Sequence, residues 1–502
     1  VAMAPSIYQQ AIIDWLRNDT GNAIVSAKAG SGKTSTLCML SDEISPVGTR
    51  AAFLAFNKAI ATELQRRLPK HVQAATFHSV CMQALRRHPA CAQYANSRGW
   101  VQSNKVHNIL DSMHNTYGAT TIEAVRKGVR QLVGLMKANA LMPECDESEL
   151  LALVERYDIE FSEDGQNTDN THVALKIARE ALAINNDTLD SIDFDDMLYL
   201  CWLLNAPLIK YSHLMVDEAQ DTNKIQRLLI ARMLGRDARA VFVGDEAQAI
   251  YAFRGADSSA MQAIQDDFKC ARFPLSISYR CPRKVVALAQ RIVPDIEARE
   301  NAPEGTVKKL DTMELASFTT LDLVLCRNTA PLVTLAYRFL KAHKAVKVMG
   351  RDIGEQLVSL VQKMRAANLE ELADKLDTYT QREVQAAMAK RNESKAERLM
   401  DQYESILAII DGLPEDDRSV FSVIGVIRSL FTDDGNGHRT TLSTIHRAKG
   451  MEAHTVYILD GHLMPSKYAT QPWQQVQETN LKYVAVTRSL DTLYFVESVV
   501  IQ

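Results

Sequence analysis

A glycine-rich turn, Ala27-Lys28-Ala29-Gly30-Ser31-Gly32-Lys33-Thr34, follows the apolar run Ala23-Ile24-Val25 and precedes Leu37, Met39 and Leu40. A strand that feeds such a turn and then a helix presents backbone N–H groups and a positive helix terminus to an anion. Lys33 would reach the β- and γ-phosphates of a nucleotide such as ATP, and the Thr34 hydroxyl would ligate Mg²⁺. Ala27, Ala29, Gly30, Ser31, Gly32 and Ser35 complete the expected phosphate shell. Alanine stands at position 27, where the usual pattern has its first glycine.

Two later segments would finish this chemistry. Leu214-Met215-Val216-Asp217-Glu218 reads as a buried strand ending in two carboxylates. Asp217 would hold Mg²⁺, and Glu218 would polarise the attacking water. Taken alone, two acids after a core strand are commonly a solvated strand end. The upstream turn, however, demands such a strand. Val241-Phe242-Val243 is a second one, followed by Gly244-Asp245-Glu246-Ala247-Gln248. Gln248 is a candidate γ-phosphate sensor. Tyr251, Phe253 and Arg254 lie just beyond it and could stack bases and touch a phosphate.

Three strands at widely spaced positions, each ending in polar residues, imply parallel sheets with the reactive groups at their carboxyl edge. The chain has 502 residues, 46% hydrophobic and 24% charged, with a formal net charge of −4, which suits a globular protein of several domains. A nucleic-acid partner would have to be bound by a local basic groove. The eight cysteines (Cys38, Cys81, Cys91, Cys145, Cys201, Cys270, Cys281, Cys326) form no C-x-x-C pair, which points to reduced thiols rather than disulfides or zinc. No signal peptide or membrane span is expected, and the expected location is the cytoplasm.

The order of motifs resembles the superfamily 1 helicases of the UvrD/Rep/PcrA type, and the resemblance runs through nearly the whole chain. In that family alanine replaces the first glycine of the phosphate loop, as Ala27 does here. Gln9, in Tyr8-Gln9-Gln10-Ala11, is similar to the glutamine that reads adenine. Phe53-Leu54-Ala55-Phe56-Asn57-Lys58-Ala59 resembles motif Ia, with Phe56 and Asn57 as DNA contacts. Thr76-Phe77-His78-Ser79 resembles motif Ib, implying single-strand contact by Thr76, Phe77 and His78. Asp193-Phe194-Asp195-Asp196-Met197 resembles the segment that precedes the Asp-Glu strand. Ser278-Tyr279-Arg280 resembles motif IV, which implies that Tyr279 stacks on adenine and Arg280 contacts the γ-phosphate. Thr441 to Glu452 resembles motif V, with His446 touching DNA and Glu452 the ribose. Asn480 to Arg488 resembles motif VI, with Arg488 as a second arginine finger. Phe253 stands where the best-known members have tryptophan, and Ala247 where many carry a charge.

The resemblance implies an α/β fold of two RecA-like P-loop domains, parallel sheets flanked by helices, each with an inserted, mostly helical subdomain. The expected boundaries are 1–86 and 193–273 for the first RecA-like domain and 87–192 for its insertion. The second domain is expected at 274–354 and 438–502, with a shortened insertion at 355–437. Val125, Val129, Leu132, Val133 and Met136 recur at helical spacing in the first insertion. Arg126, Lys127, Arg130 and Lys137 stripe the same stretch and either line a DNA path or form a solvated face. The implied activity is an ATP-dependent DNA helicase or single-strand translocase of 3′→5′ polarity, with ATP and Mg²⁺ held between the two domains. Its partners would be single-stranded DNA and single-strand/duplex junctions. The alternative is a motor subunit, weak in unwinding alone, that works with a protein partner in a repair, replication or defence complex.

Overall fold

A computed structural model describes residues 4–55, 58–157, 159–161, 170–250, 259–389, 392–431 and 439–500. The chain forms two compact units. The first comprises Val1–Ala27 and Gly32–Ser276, and the second Lys28–Ser31 with Ile277–Gln502.

In the first unit, β1 (Ala23–Ala27), β2 (Ala51–Ala55), β3 (Val72–Thr76), β4 (Tyr211–Val216), β5 (Leu234–Gly244) and β6 (Ala271–Leu275) make a six-stranded sheet in the order β3-β2-β4-β5-β1-β6. Every pairing is parallel, for example Ala23↔Val241 and Leu54↔Val216. All five residues of β2 are buried, as expected for a strand covered on both faces. Pro274 is tolerated because β6 is an edge strand.

Between β3 and β4 the chain is helical. Lys105–Ser112, Ala119–Ala138, Glu147–Tyr157 and Thr171–Asp187 are its main helices. Val125, Val129, Leu132, Val133 and Met136 are fully buried, in one apolar core with Ile24, Leu54 and Val216 of the sheet. On Ala119–Ala138 burial corrects the expected basic stripe at Arg126 and Lys137, whereas Lys127 and Arg130 are exposed. Arg126 is turned inward onto Asp111 (2.7 Å) and Glu123, and Lys137 is 1% exposed against Asp193 (2.7 Å) and Asp196 (2.8 Å). Helical spacing cannot distinguish a solvated cation from one that neutralises a buried acid.

The second unit opens with a short parallel pair, β7 (Ile277–Ser278) and β8 (Glu297–Ala298). Its main sheet is built from β9 (Thr306–Glu314), β10 (Leu323–Cys326), β11 (Val346–Val348), β12 (Thr440–Thr444), β13 (Ala453–Leu459) and β14 (Ser489–Val500). The order is β11-β12-β10-β13-β14-β9, again parallel throughout. The expected closing strand around Thr492–Val496 is therefore covered by one more, β9. Its four charges (Lys308, Lys309, Asp311, Glu314) hide it from a hydrophobicity reading and suit an edge. Leu321 and Asp322, read as strand, precede β10: Leu321 is 76% exposed, and Asp322 accepts from the Thr319 N–H. Helices Arg351–Met364, Leu369–Ala389, Glu393–Gly412 and Val420–Leu430 fill the span between β11 and β12 and share one core with the sheet. The Asp433–Gly437 turn lies outside the described residues. The α/β class expected from the sequence is the one the chain adopts. Among the described residues no helix is long and apolar enough to cross a membrane.

Candidate nucleotide and nucleic-acid site

The carboxyl ends of β1, β4 and β5 bring the sequence-predicted residues of the first unit together. Helix Lys33–Glu43 starts at Gly32, whose φ of +83° strains any side chain. Lys33 Nζ lies 2.9 Å from Glu218 Oε1, and the Thr34 hydroxyl donates to Asp217 Oδ2 at 3.0 Å. Ser35 is half-buried in the next position of the helix. Gln9, at 4% exposure, sits beneath this turn. Its amide donates to Thr36 Oγ1 (3.0 Å) and accepts from the Ser6 N–H in a capping box.

Two residues that sequence reasoning missed connect Glu218 to Gln248. Gln220 donates to Glu218 Oε2 and accepts from the Asp245 N–H at 3.0 Å, and Gln248 donates to Asp245 Oδ2 at 2.6 Å. Gln220 and Asp245 are buried, so these hydrogen bonds are not shared with bulk water. A Cβ at Gly244 would come within 2.7 Å of Gln220 Oε1, which explains glycine at the end of β5. The signal was present in Ala219-Gln220-Asp221 and Gly244-Asp245, but a relay between two distant segments has no local spacing.

The electrostatics follow from this crowding. Burial, and then Glu218 beside it, push Asp217 up to about 6, against the opposing pull of Lys33 and the hydrogen bonds from Thr34 and the Glu218 N–H. Burial would lower Lys33, but Glu218, Asp217 and Asp245 outweigh it and hold the ammonium above its usual range. A hydroxyl and a carboxylate 3.0 Å apart are hard oxygen donors of the kind Mg²⁺ takes alongside phosphate oxygens, so Thr34 and Asp217 fit that ion.

The second unit holds the remaining nucleotide candidates. Within it, the Ala29 N–H donates to the Tyr483 hydroxyl at 2.9 Å, and Gly30 O accepts from the Tyr279 N–H at 2.8 Å. Gly30 has φ +71°, and a Cβ there would lie 2.4 Å from Arg280 Cβ, so only glycine fits. Ser31 is buried, and its hydroxyl accepts from the Lys28 N–H. Arg280 Nε lies 2.6 Å from Glu452 Oε2, which pairs two of the expected nucleotide contacts with each other. Arg488 is 1% exposed and donates to the carbonyls of Val484 (2.9 Å) and Met451 (3.3 Å). Tyr483, buried beside these groups, was not singled out from the sequence.

Of the expected DNA contacts, Thr76 caps helix Phe77–Arg87 by accepting from the Ser79 N–H at 3.2 Å. Phe77 is corrected from contact to core, at 6% exposure. His78 is half-buried and stacks on Phe194 with ring centroids 3.8 Å apart, and Phe194 is itself 59% exposed. Burial lowers His78 to about 4, so the ring is neutral at physiological pH. His446 is half-buried in the turn after β12. Phe56, Asn57, Tyr251, Phe253 and Arg254 lie outside the described residues.

Comparison with known proteins gives the family. The UvrD/REP helicase N-terminal domain matches residues 9–269, and the UvrD-like helicase C-terminal domain matches residues 146–499. Among similar proteins, a probable DNA helicase II homolog of Mycoplasma pneumoniae is 28% identical over 57% of this chain and 42% of its own length. DNA helicase II of Haemophilus influenzae is 26% identical over 59% of this chain and 43% of its own. The ATP-dependent DNA helicase PcrA of Bacillus subtilis is 24% identical over 57% and 39%. The chain thus spans less than half the length of the curated relatives it matches. With a family domain matched over more than half of its residues, this chain belongs to the UvrD/REP helicase family.

Proposed function

We propose that this chain is an ATP-dependent DNA helicase or single-strand translocase that moves 3′→5′. The observation that carries the reading is the convergence of Lys33 on Glu218 and of Thr34 on Asp217 at one sheet edge. Bound Mg²⁺ would supply neutralisation of the phosphate charge, with Thr34 and Asp217 as its protein ligands. Lys33 and Glu218 hold each other, so that pair is released as one: once Lys33 turns to the phosphates, Glu218 Oε1 can accept a proton from water. Gln220 and Asp245 then carry the state of Glu218 to Gln248, three residues before Tyr251. Arg280 and Arg488 are proposed as γ-phosphate contacts on their family motifs, and an arginine in that role is worth about 10³–10⁵ in rate.

The test is ATP turnover with and without single-stranded DNA. A strong rise on adding DNA is expected, and a rate indifferent to DNA refutes the motor. Lys33→Ala should abolish turnover while DNA binding survives. Unwinding of 3′-tailed but not 5′-tailed duplexes is expected, and the reverse preference overturns the polarity. Stimulated turnover without strand displacement would instead support the motor-subunit reading.

A further inference from the structure

Adjacent parallel strands β11 and β12 leave the second sheet at the same edge, paired from Val346↔Thr440 to Val348↔Leu442. The Met349 N–H extends this pairing by donating to Leu442 O at 2.8 Å. From β11 the chain passes through Gly350 into helix Arg351–Met364, with Asp352 in its first turn. From β12 it passes through Ile445 and His446 to Arg447, whose N–H donates to Thr444 O at 3.1 Å. The two exits meet in a side-chain pair: Arg447 Nη2 bonds Asp352 Oδ1. Gly350 forms the seat of this arginine. At φ +121° it adopts a backbone that side chains avoid, and a Cβ there would stand 2.9 Å from Arg447 Nε and 3.2 Å from its Cδ.

The guanidinium is therefore placed by backbone shape but tied only at the surface. The Arg447 side chain is 29% exposed and that of Asp352 57%. An exposed ion pair of this kind contributes little to stability and is cheaply exchanged. A phosphate diester offers the same anionic oxygens as the carboxylate, in a geometry a guanidinium binds with two donors. Arg447 follows His446 directly and lies at the carboxyl edge of a parallel sheet, where ligands of such folds bind.

We propose that Arg447 contacts a backbone phosphate of single-stranded nucleic acid, and that Asp352 is the competing carboxylate which that phosphate displaces. The inference rests on the nucleic-acid motor reading above and adds to it a residue pair that sets grip strength. With a strand bound, Asp352 loses its partner and faces the polyanion, so it lowers affinity. With no strand bound, it keeps Arg447 in its seat.

The experiment measures binding of a fluorescently labelled oligothymidine to the full chain by anisotropy over a range of NaCl concentrations. Arg447→Ala should weaken binding several-fold and flatten the plot of log K against log salt by about 0.7, the share of one contact on a single strand. Arg447→Lys should keep the salt slope and lose part of the affinity. Asp352→Asn should tighten binding by about twofold or more. Binding by the wild-type chain with affinity and slope unchanged in Arg447→Ala and Asp352→Asn would overturn this proposal and leave the motor reading intact. Weaker binding in Asp352→Asn would overturn the competition, since Asp352 would then be a support for Arg447. No binding by the wild-type chain at any salt would remove the motor reading and this inference with it. Thermal melting of each variant separates loss of contact from loss of fold, and Asp352→Asn, a surface change of nearly equal shape, keeps the test decisive if Arg447→Ala melts.

Discussion

Lys33 and Lys137 each face a pair of carboxylates in the first unit, Asp217 with Glu218 and Asp193 with Asp196. Their access to water differs. The Lys33 side chain is 13% exposed and that of Glu218 26%, whereas Lys137 is 1% exposed and Asp196 wholly buried. Around Asp196 the arrangement is complete: Lys105 Nζ lies at 2.8 Å, Lys137 Nζ at 2.8 Å, and Asn185 donates to it at 2.8 Å. The Asp193 N–H adds a fourth bond at 3.1 Å. A cluster sealed and satisfied in this way cannot trade a partner for a ligand. It fastens helices Lys105–Ser112 and Ala119–Ala138 to the segment that carries Phe194. The open pair at Lys33 can trade, and the surface pair at Arg447 can trade most easily.

The sealed cluster gives the largest expected effect. Burial alone would push Asp196 up, but Lys137 and Lys105 outweigh it and hold the carboxyl below its usual range. Asp196→Ala strands two buried ammonium groups with only Asp193 left to share, and removing one partner of a buried charge cluster costs about 3–5 kcal/mol. Urea denaturation reads this directly. A loss below about 1 kcal/mol would place the cluster among ordinary surface pairs and erase the contrast with Lys33.

The same contrast explains what was legible beforehand. The candidate nucleotide residues announce themselves locally, because a phosphate-binding turn needs glycines and a lysine at fixed offsets and acids proposed to hold a metal must end a buried strand. The parallel sheets could likewise be read from short apolar runs such as Phe53-Leu54-Ala55. Lys105 and Lys137 carried no such sign: their acids stand 91 and 59 residues away, and a lysine on a helix reads as a solvated face until its neighbours are known. Strand β9 was hidden by its edge position, and the Gln220–Asp245 relay by its reach across the sheet. The pairing of Arg447 with Asp352 joins residues 95 apart and became visible only once β11 and β12 were neighbours.

A smaller effect is expected at the open pair. Lys33→Ala removes the ammonium facing Asp217 and Glu218, yet Asp217 already titrates near 6 and has a ready substitute in a proton. Without Lys33 its carboxyl rises further, so near neutral pH the variant takes up a proton on folding and loses about 1 kcal/mol or less. The sign is set by a carboxyl whose folded value exceeds its unfolded one: stability should fall as pH rises through the folded value. Melting in EDTA from pH 5.5 to 8 should show Lys33→Ala close to wild type at the acid end and weaker at the alkaline end. Adding Asp217→Asn should remove that slope. A pH-independent loss of several kcal/mol would mean that Lys33 is as structural as Lys137.

The smallest effect at neutral pH belongs to the uncharged pair of rings, His78 on Phe194. Burial lowers His78 to about 4, while in the unfolded chain the imidazole titrates near 6.5. Between those values the unfolded state binds more protons than the folded one, so stability should rise with pH across this window and level off above it. One proton sets an upper limit of about 1.4 kcal/mol per pH unit, reduced here because the half-buried ring keeps contact with water. His78→Asn should lose this slope while leaving the plateau above pH 7 nearly unchanged. If His78 instead titrates near its ordinary value in the folded chain, the slope will be missing in the wild type as well, and below that value the stack would hold a cation rather than a neutral ring. Neutrality bears on grip: a ring that stays uncharged can offer a nucleic acid its face but no counter-ion. Binding of a single strand should then show no step from His78 between pH 6 and 8, in contrast to the salt-dependent contribution of Arg447.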